Sequence, residues 1–212
     1  MICVCLAEKN IDDFLSVVNQ FELAEIRMDL TSLSDSDIQL LFSQPTALIA
    51  TFRPEKIPEA QRARKLQLAI ESGASYVDIE IENDEPFNNK IIASAKKHNC
   101  KIIISYHNFN ATPTSEELNQ IINQAFKQGA DIAKIACMVN DKADNVRLLS
   151  LYDNKKPVVA LGMGELGKIT RIASLYLGAP FTMVSANTSR STAPGQIDYK
   201  TLKELMLLIE NK

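Results

Sequence analysis

Two kinds of apolar segment alternate along the chain, and this alternation constrains the fold more than any single motif. Eight short runs rich in β-branched residues are separated by segments in which apolar residues recur at the helical period. The runs are ICVCLA, AEIRMDL, ALIATFR, YVDIEIE, KIIISYHNF, IAKIACMV, PVVALGM and FTMVSAN. Strict alternation of strands and helices predicts parallel strands with right-handed crossovers, and eight repeats favour closure into a barrel. We therefore predict an α/β protein in which residues 1–212 form a single-domain (β/α)8 TIM barrel.

Three glycines mark predicted helix ends. Gly73, Gly129 and Gly178 each follow a helical segment and precede an alanine and a strand. A glycine just beyond a helix adopts the left-handed conformation that ends it at little cost. These joints support the predicted order of helices and strands.

Composition narrows the class of function. Hydrophobic residues make up 46% of the chain and charged residues 23%, as in ordinary globular proteins. The net charge is −3 and no run of Lys or Arg occurs, so neither nucleic acid nor a membrane surface is a predicted partner. The N-terminus lacks a signal-peptide pattern and no segment approaches the roughly 18 apolar residues of a membrane span. We expect a cytoplasmic protein that acts on a small molecule.

The four cysteines give no sign of a metal site or of disulfides. Cys3, Cys5, Cys100 and Cys137 lack CxxC spacing and are few for so long a chain. We predict buried free thiols.

Ionisable side chains collect at the predicted C-terminal ends of the strands, where barrel enzymes carry their chemistry. They are Glu25, Arg27 and Asp29 on strand 2, Arg53 on strand 3, Asp78, Glu80 and Glu82 on strand 4, His107 on strand 5, and Lys134 within strand 6. Arg53, Glu80, His107 and Lys134 are each 27 residues apart, which suggests corresponding places on four neighbouring strands. Such a ring suits a charged, polyfunctional substrate.

The segment YVDIEIENDE raises the question of how its carboxylates are neutralised. Asp78, Glu80 and Glu82 alternate with apolar residues, which places them on one face of a strand. We expect Asp78 and Glu80 to point into the barrel, where lysine, histidine and arginine side chains offset their charge. Glu82 is assigned to the solvated loop that follows.

Lys134 is the candidate nucleophile. It lies in the apolar sequence DIAKIACM, and a lone lysine in a strand often extends its amine to solvent. A barrel strand is covered on both faces, however, and desolvation favours the free amine that attacks carbonyl groups. We therefore favour imine chemistry on this lysine.

The two histidines differ in their predicted roles. His98 falls at the end of a helical segment, where a cation suits the helix dipole, and receives no functional role. His107 lies one repeat before Lys134 and is the predicted proton-transfer group, because the ordinary pKa of histidine lies near neutral pH.

Two loops near the C-terminus are candidate substrate contacts. The segment GMGELGKIT does not match a phosphate-binding loop, because Ile169 follows Lys168 where such loops need Ser or Thr. It nevertheless brings Arg171 toward the predicted mouth, where an anion would bind. The segment STAPGQ at 191–196 reads as a polar loop that covers the mouth, or alternatively as an ordinary turn.

The chain as a whole resembles the type I 3-dehydroquinate dehydratases of the shikimate pathway. The resemblance extends through EIRMD, TFR, DIE, SYHNF, ADIAKIACM, MGELGKITR and APGQ, seven motifs in the order of the family. It implies dehydration of 3-dehydroquinate to 3-dehydroshikimate by syn elimination, with no cofactor, in a homodimer.

The resemblance also implies a role for each site residue. Lys134 forms the imine, His107 is the general acid and base, and Glu80 orients His107. The implied substrate-binding residues are Glu25, Arg27, Arg53, Arg171, Thr192 and Gln196. Arg171 would pair with the substrate carboxylate while Gln196 closes over it.

Three positions depart from the common pattern of the family. Thr192 stands where serine is common, Cys5 where many members have serine, and Ile26 where tryptophan is frequent. These departures affect the lid and the floor of the site rather than the imine chemistry.

Three other functions fit parts of the pattern. A class I aldolase would share Lys134 but would not need Arg171. A divalent metal site could use Asp78, Glu80, Glu82 and His107, although the nearby cations oppose it. A binding or scaffolding barrel would not need the Lys, His and Glu set.

Overall fold

Eight parallel strands form the centre of the molecule in the computed structural model, which describes residues 1–54, 57–187 and 194–210. The strands are β1 (Ile2–Leu6), β2 (Leu23–Arg27), β3 (Ala47–Thr51), β4 (Tyr76–Glu80), β5 (Lys101–Asn108), β6 (Ile132–Met138), β7 (Val158–Met163) and β8 (Thr182–Ser185). Their order in the sheet is β7-β6-β5-β4-β3-β2-β1-β8, and all described pairs are parallel. Strands β1 to β7 thus pair in sequence order and β8 pairs with β1, which gives a nearly closed barrel with β7 and β8 at the two edges.

Helices follow the strands and cover the outside of the barrel. They are α1 (Ile11–Val17), α2 (Asp35–Phe42), α3 (Glu59–Glu71), α4 (Glu85–Lys97), α5 (Ser115–Gln128), α6 (Lys142–Ser150), α7 (Lys168–Tyr176) and α8 (Tyr199–Ile209). Short 3-10 turns cover Val18–Gln20, Met28–Leu30, Leu151–Asp153 and Glu165–Gly167. The predicted (β/α)8 TIM barrel is confirmed.

The helix ends have the local causes that the sequence predicts. Gly73, Gly129 and Gly178 have φ of +111°, +108° and +97°, so each occupies the left-handed region just beyond or at the end of its helix. At the other end, α5 begins with a reciprocal capping box between Thr114 and Glu117. None of the described helices is long and apolar enough to cross a membrane.

Alternation along each strand divides the core into two parts. Outward-facing residues such as Val4, Ala24 and Ile26 pack against the helices. The inward-facing ones form a second cluster inside the barrel: Cys3, Cys5, Leu23, Ile49, Ile103, Ile132, Val159, Leu161, Phe181 and Met183. Farther along the same inner faces of β2, β4, β5 and β6, toward their carboxyl ends, the apolar side chains give way to charged and polar ones. The fold therefore concentrates ionisable groups at one end of a packed barrel.

Candidate active site

A cavity of about 550 Å³ opens at the carboxyl ends of the strands. This is within the usual size range for small-molecule sites. Eight of the nine predicted site residues line it: Glu25, Arg27, Arg53, Glu80, His107, Lys134, Arg171 and Gln196. The ninth, Thr192, lies outside the described residues.

Lys134 points from the middle of β6 into the base of the cavity. Its side chain is only 4% exposed, so the predicted burial is confirmed. Its Nζ donates a hydrogen bond of 2.8 Å to Asp78 Oδ2 and lies 3.8 Å from Glu25 Oε1. Lys134 therefore takes part in a buried ion pair, which satisfies a cation that would otherwise be costly to bury.

Asp78 is the most heavily bonded carboxylate of the site. Arg53 contacts both of its oxygens, at 3.0 and 3.1 Å, and Ser105 Oγ donates to Oδ1 at 2.6 Å. Burial alone would raise the pKa of this carboxyl, but Arg53 and Lys134 outweigh burial and hold the pKa far below its ordinary value. Asp78 is therefore a fixed anion beside the lysine amine.

Glu80 and His107 form the second pair of the site. His107 Nδ1 lies 3.1 Å from Glu80 Oε2, and Arg53 Nη1 lies 2.5 Å from Glu80 Oε1. The predicted inward direction of Glu80 and its contact with His107 are both present. Because the Nδ1–H of His107 donates to the ionised carboxylate, Nε2 is the ring atom that remains for a substrate.

Burial lowers the pKa of His107, and the positive charge of Arg53 lowers it further. The hydrogen bond from Glu80 acts in the opposite direction but does not reverse the shift. The imidazole is therefore neutral near pH 7 and available as a base.

Glu25 and Arg27 occupy the wall formed by β2. Thr51 Oγ1 donates to Glu25 Oε1 at 2.9 Å, and Arg27 makes two hydrogen bonds to Asp29, at 3.0 and 2.7 Å. Burial opposes ionisation of Glu25, yet Lys134 and the two nearby arginines keep its pKa below the ordinary value. This wall presents charged acceptors and donors suited to substrate hydroxyl groups.

Arg171 has no described carboxylate within ion-pair distance, unlike Arg27, Arg53 and Lys134. It is the fourth residue of α7 and only 2% exposed. Its Nη1 donates to the carbonyl of Met183 at 3.0 Å, while its Nε has no partner, and burial lowers its pKa to about 10. A buried guanidinium that faces a cavity, with no counter-charge in the described part of the chain, is suited to an anionic ligand group.

Glycines allow a close contact between the loop that precedes α7, the helix of Arg171, and the loop that carries Gln196. The N–H of Gly164 donates to the carbonyl of Pro194 at 3.2 Å. Gly195 has φ +72°, and a Cβ there would lie 2.2 Å from the carbonyl oxygen of Gly164. Only glycine fits at this contact, which brings Gln196 to the cavity, where its Nε2 lies 3.4 Å from Cys5 Sγ.

The strand register corrects one expectation. The equal spacing of 27 residues suggested that Arg53, Glu80, His107 and Lys134 occupy corresponding places. Lys134 instead pairs with Ser105, and His107 pairs with Ala136, two residues farther along β6. His107 is therefore nearer the mouth than Lys134, which allows the two groups to approach a substrate at different atoms.

Ser105 and Phe109 are among the residues near the site that the sequence did not predict. Ser105 binds Asp78, and its position two residues before His107 on β5 would have placed it on the same inner face. Phe109, also in the motif SYHNF, is 60% exposed and lies nearly parallel to the His107 ring, with 6.2 Å between ring centres. An exposed aromatic residue in a loop has no periodicity from which its position could be predicted.

The carboxylates of the alternative metal site are engaged with cations. Asp78 binds Arg53 and Lys134, and Glu80 binds Arg53 and His107. Within the part of the chain that the structure describes, no group of three or more His, Cys, Asp or Glu side chains is arranged to hold a metal ion. Asp78 and Glu80 are therefore bound to basic side chains, an arrangement that favours direct use of these side chains over metal binding.

Comparisons with known proteins show which chains this one is similar to. The family model "Type I 3-dehydroquinase" matches residues 2–212. The 3-dehydroquinate dehydratase of Methanocaldococcus jannaschii is 35% identical over 228 residues, covering 100% of both chains. The solved 3-dehydroquinate dehydratase of Enterococcus faecalis is 27% identical with a TM-score of 0.78, covering 86% of this chain and 87% of that one.

The enzyme from Geobacillus kaustophilus superposes with a TM-score of 0.88 at 24% identity, covering 99% of this chain and 91% of that one, which supports the fold. The family model matches nearly the whole chain, and the Methanocaldococcus jannaschii enzyme is similar over its full length; together these matches establish the family. This chain belongs to the type I 3-dehydroquinase family.

Proposed function

We propose that this protein dehydrates 3-dehydroquinate to 3-dehydroshikimate, a step of the shikimate pathway, through an imine on Lys134. The observation that carries the proposal is the meeting of three groups in one cavity: the buried amine of Lys134, the imidazole of His107 and the guanidinium of Arg171, which has no carboxylate partner among the described residues. A ketone, an acidic C–H bond and a carboxylate on one small molecule would use all three.

Imine formation comes first. The Lys134 ammonium gives up a proton, and the free amine adds to the C3 ketone. A C=N double bond replaces the C=O double bond, and the ketone oxygen leaves as water with two of the three protons of the original ammonium. The resulting iminium withdraws electrons from C3 and acidifies the protons of C2.

His107 then transfers the proton. Nε2 takes one C2 proton and the electron pair moves toward nitrogen, which gives an enamine. The enamine electrons form the C1–C2 double bond and expel the C1 hydroxyl, which receives the proton held by His107. One base that serves both steps on one face produces a syn elimination, and hydrolysis of the iminium releases 3-dehydroshikimate.

The remaining residues bind and orient. Glu80 fixes the His107 tautomer and stabilises the imidazolium that forms transiently. Arg171 pairs with the substrate carboxylate, and Gln196 closes over it. Glu25, Arg27 and Arg53 bind the hydroxyl groups or hold the side chains that do, and Thr192 would add a hydroxyl from the loop.

Borohydride reduction in the presence of 3-dehydroquinate, followed by peptide mass mapping, tests this proposal. We expect a reduced adduct on Lys134 and none on the exposed Lys168, which serves as an internal control. Absence of an adduct on Lys134 would contradict the imine mechanism. Loss of activity in the presence of a chelator would favour the metal alternative, and cleavage of a carbon–carbon bond would favour an aldolase.

Two further expectations concern assembly and location: the family resemblance implies a homodimer, and the sequence itself predicts a cytoplasmic protein. A homodimer and a cytoplasmic location both remain predictions, the first in keeping with the frequency of two-fold assemblies among enzymes. Sedimentation analysis of the purified protein tests the dimer.

A further inference from the structure

The contact between Asp78 and Lys134 suggests a role that the proposed mechanism does not assign. Asp78 Oδ2 lies 2.8 Å from Nζ, the atom that becomes the imine nitrogen, whereas Glu25 is 3.8 Å from it. Asp78 is 1% exposed, so water does not screen the contact. This inference rests on the proposed function, because it concerns the imine that Lys134 forms.

The charge at Nζ persists when the imine forms. An ammonium has three N–H bonds, and the iminium made from a ketone keeps one N–H bond and the positive charge on the same nitrogen. An acceptor 2.8 Å from the ammonium is therefore within hydrogen-bond reach of the iminium as well. The ion pair of the free protein can thus carry over into the intermediate.

The neighbours of Asp78 keep its carboxylate ionised and in place. Arg53 binds both of its oxygens, and Ser105 donates to Oδ1. A carboxylate held by a bidentate arginine is a poor proton acceptor, because protonation would break charge-assisted hydrogen bonds. Asp78 is therefore suited to stabilise the charge on nitrogen without removing its proton.

We propose that Asp78 is the counter-ion of the Lys134 iminium: its carboxylate holds the iminium N–H and keeps the imine protonated while His107 removes the C2 proton. The electron pair of the broken C2–H bond flows to this positive nitrogen, and the proton goes to His107 Nε2. Only the protonated imine accepts that pair efficiently, so the counter-ion maintains the reactive form.

Several titratable and charged groups surround this nitrogen, and the experiment must separate them. Asp78 and Glu80 come from β4, Glu25 and Arg27 from β2, Arg53 from the loop after β3, His107 from β5 and the buried thiol of Cys3 from β1. Of these, Asp78 alone is described within hydrogen-bond distance of Nζ. Replacing Asp78 by asparagine removes its charge and changes its shape little.

Trapping with cyanoborohydride, which reduces the protonated imine, tests the proposal. The rate of adduct formation on Lys134 is measured by mass spectrometry as a function of pH, with 3-dehydroshikimate as the ligand. For wild type the rate falls at the alkaline pH where the imine loses its proton. Asp78→Asn removes the anion that favours the proton, so we expect this alkaline limit to move to lower pH by about 1 to 3 units.

Ser105→Ala is the matched control, because it removes one hydrogen bond from Asp78 but keeps the charge. Its alkaline limit should move much less than that of Asp78→Asn, because Arg53 still holds both oxygens of Asp78. An unchanged limit in Asp78→Asn, or an equal displacement in Ser105→Ala, would overturn the counter-ion role. Absence of any wild-type adduct would instead overturn the proposed function.

A second measurement needs no substitution at Asp78 and applies if Asp78→Asn does not fold. Wild-type protein labelled with ¹⁵N-lysine is examined by NMR with 3-dehydroshikimate bound. The adduct nitrogen should keep its directly bonded proton from neutral pH into the alkaline range. A nitrogen that has lost that proton at neutral pH would overturn the proposal.

Discussion

Replacing Glu80 by glutamine should change the pH dependence of the reaction through His107. Glu80 Oε2 lies 3.1 Å from Nδ1, and its charge opposes the effects of burial and of Arg53 on the pKa of His107. Glutamine removes that charge, so the pKa of His107 falls further below its ordinary value. A base must be neutral to take a proton, so activity is lost as pH falls through this pKa. The acidic limb of the rate profile should therefore move to lower pH.

The size of the shift follows from the geometry. Two unit charges 4 Å apart interact by about 4 kcal/mol at an effective dielectric of 20. Arg53 lies 2.5 Å from the other oxygen of Glu80 and offsets much of this interaction. We therefore take about 1 to 2 kcal/mol for the net interaction of Glu80 with the His107 imidazolium, which corresponds to a shift of about one unit in the pKa of His107. A weaker base should also lower the rate on the plateau by about tenfold.

Steady-state rates over the acidic and neutral range measure both effects. Glu82→Gln is the matched control, because it removes the same charge from the same cavity and Glu82 has no described hydrogen bond to His107. The limb should move less in this variant than in Glu80→Gln. An acidic limb at the same pH in Glu80→Gln and wild type would refute the claim that Glu80 tunes His107.

Four other outcomes test separate parts of the site. Lys134→Met should abolish turnover while far-UV circular dichroism shows a folded barrel; residual turnover near the wild-type rate would contradict the imine. Arg171→Met should raise KM by about 10- to 100-fold, the worth of a charged hydrogen bond, and a KM like that of wild type would exclude a carboxylate contact. Gly195→Ala should lower kcat/KM, because its Cβ would collide with the carbonyl oxygen of Gly164. The control Gly178→Ala meets no atom within 4 Å and should affect only stability, so an equal loss of kcat/KM in the two variants would refute the loop contact. EDTA should leave the rate unchanged, and inhibition reversed by added metal would favour the metal alternative.

The fold was predictable because the strand, helix and turn patterns along the sequence all indicate the same barrel architecture. Strand-like and helical segments alternate eight times, and glycines at the ends of α3, α5 and α7 adopt the positive φ that such ends require. Parallel strands with short connections leave few arrangements for such a chain. The two faces of each strand followed from alternation alone, including the inward direction of Asp78 and Glu80.

The pairing within the site was less predictable, because it depends on register between strands. Asp78 and Lys134 are 56 residues apart, and Ser105 bonds Asp78 from a third strand. Even spacing in sequence suggested equivalent positions for His107 and Lys134, yet helix and loop lengths set the register, and His107 lies two residues nearer the mouth. That Arg171 has no described carboxylate partner also depends on contacts between distant segments.

Oxygen exchange tests the central claim, that Lys134 forms an imine during turnover, most directly. An imine expels the ketone oxygen as water, and its hydrolysis introduces an oxygen atom from the solvent. 3-Dehydroquinate is converted in ¹⁸O-water, the reaction is stopped within a few turnovers, and the product is examined by mass spectrometry beside substrate kept without enzyme. We predict one ¹⁸O atom at the C3 ketone of each product molecule, well above the exchange of the enzyme-free sample. Product that retains its original ketone oxygen would contradict the imine and, with it, the assigned role of Lys134.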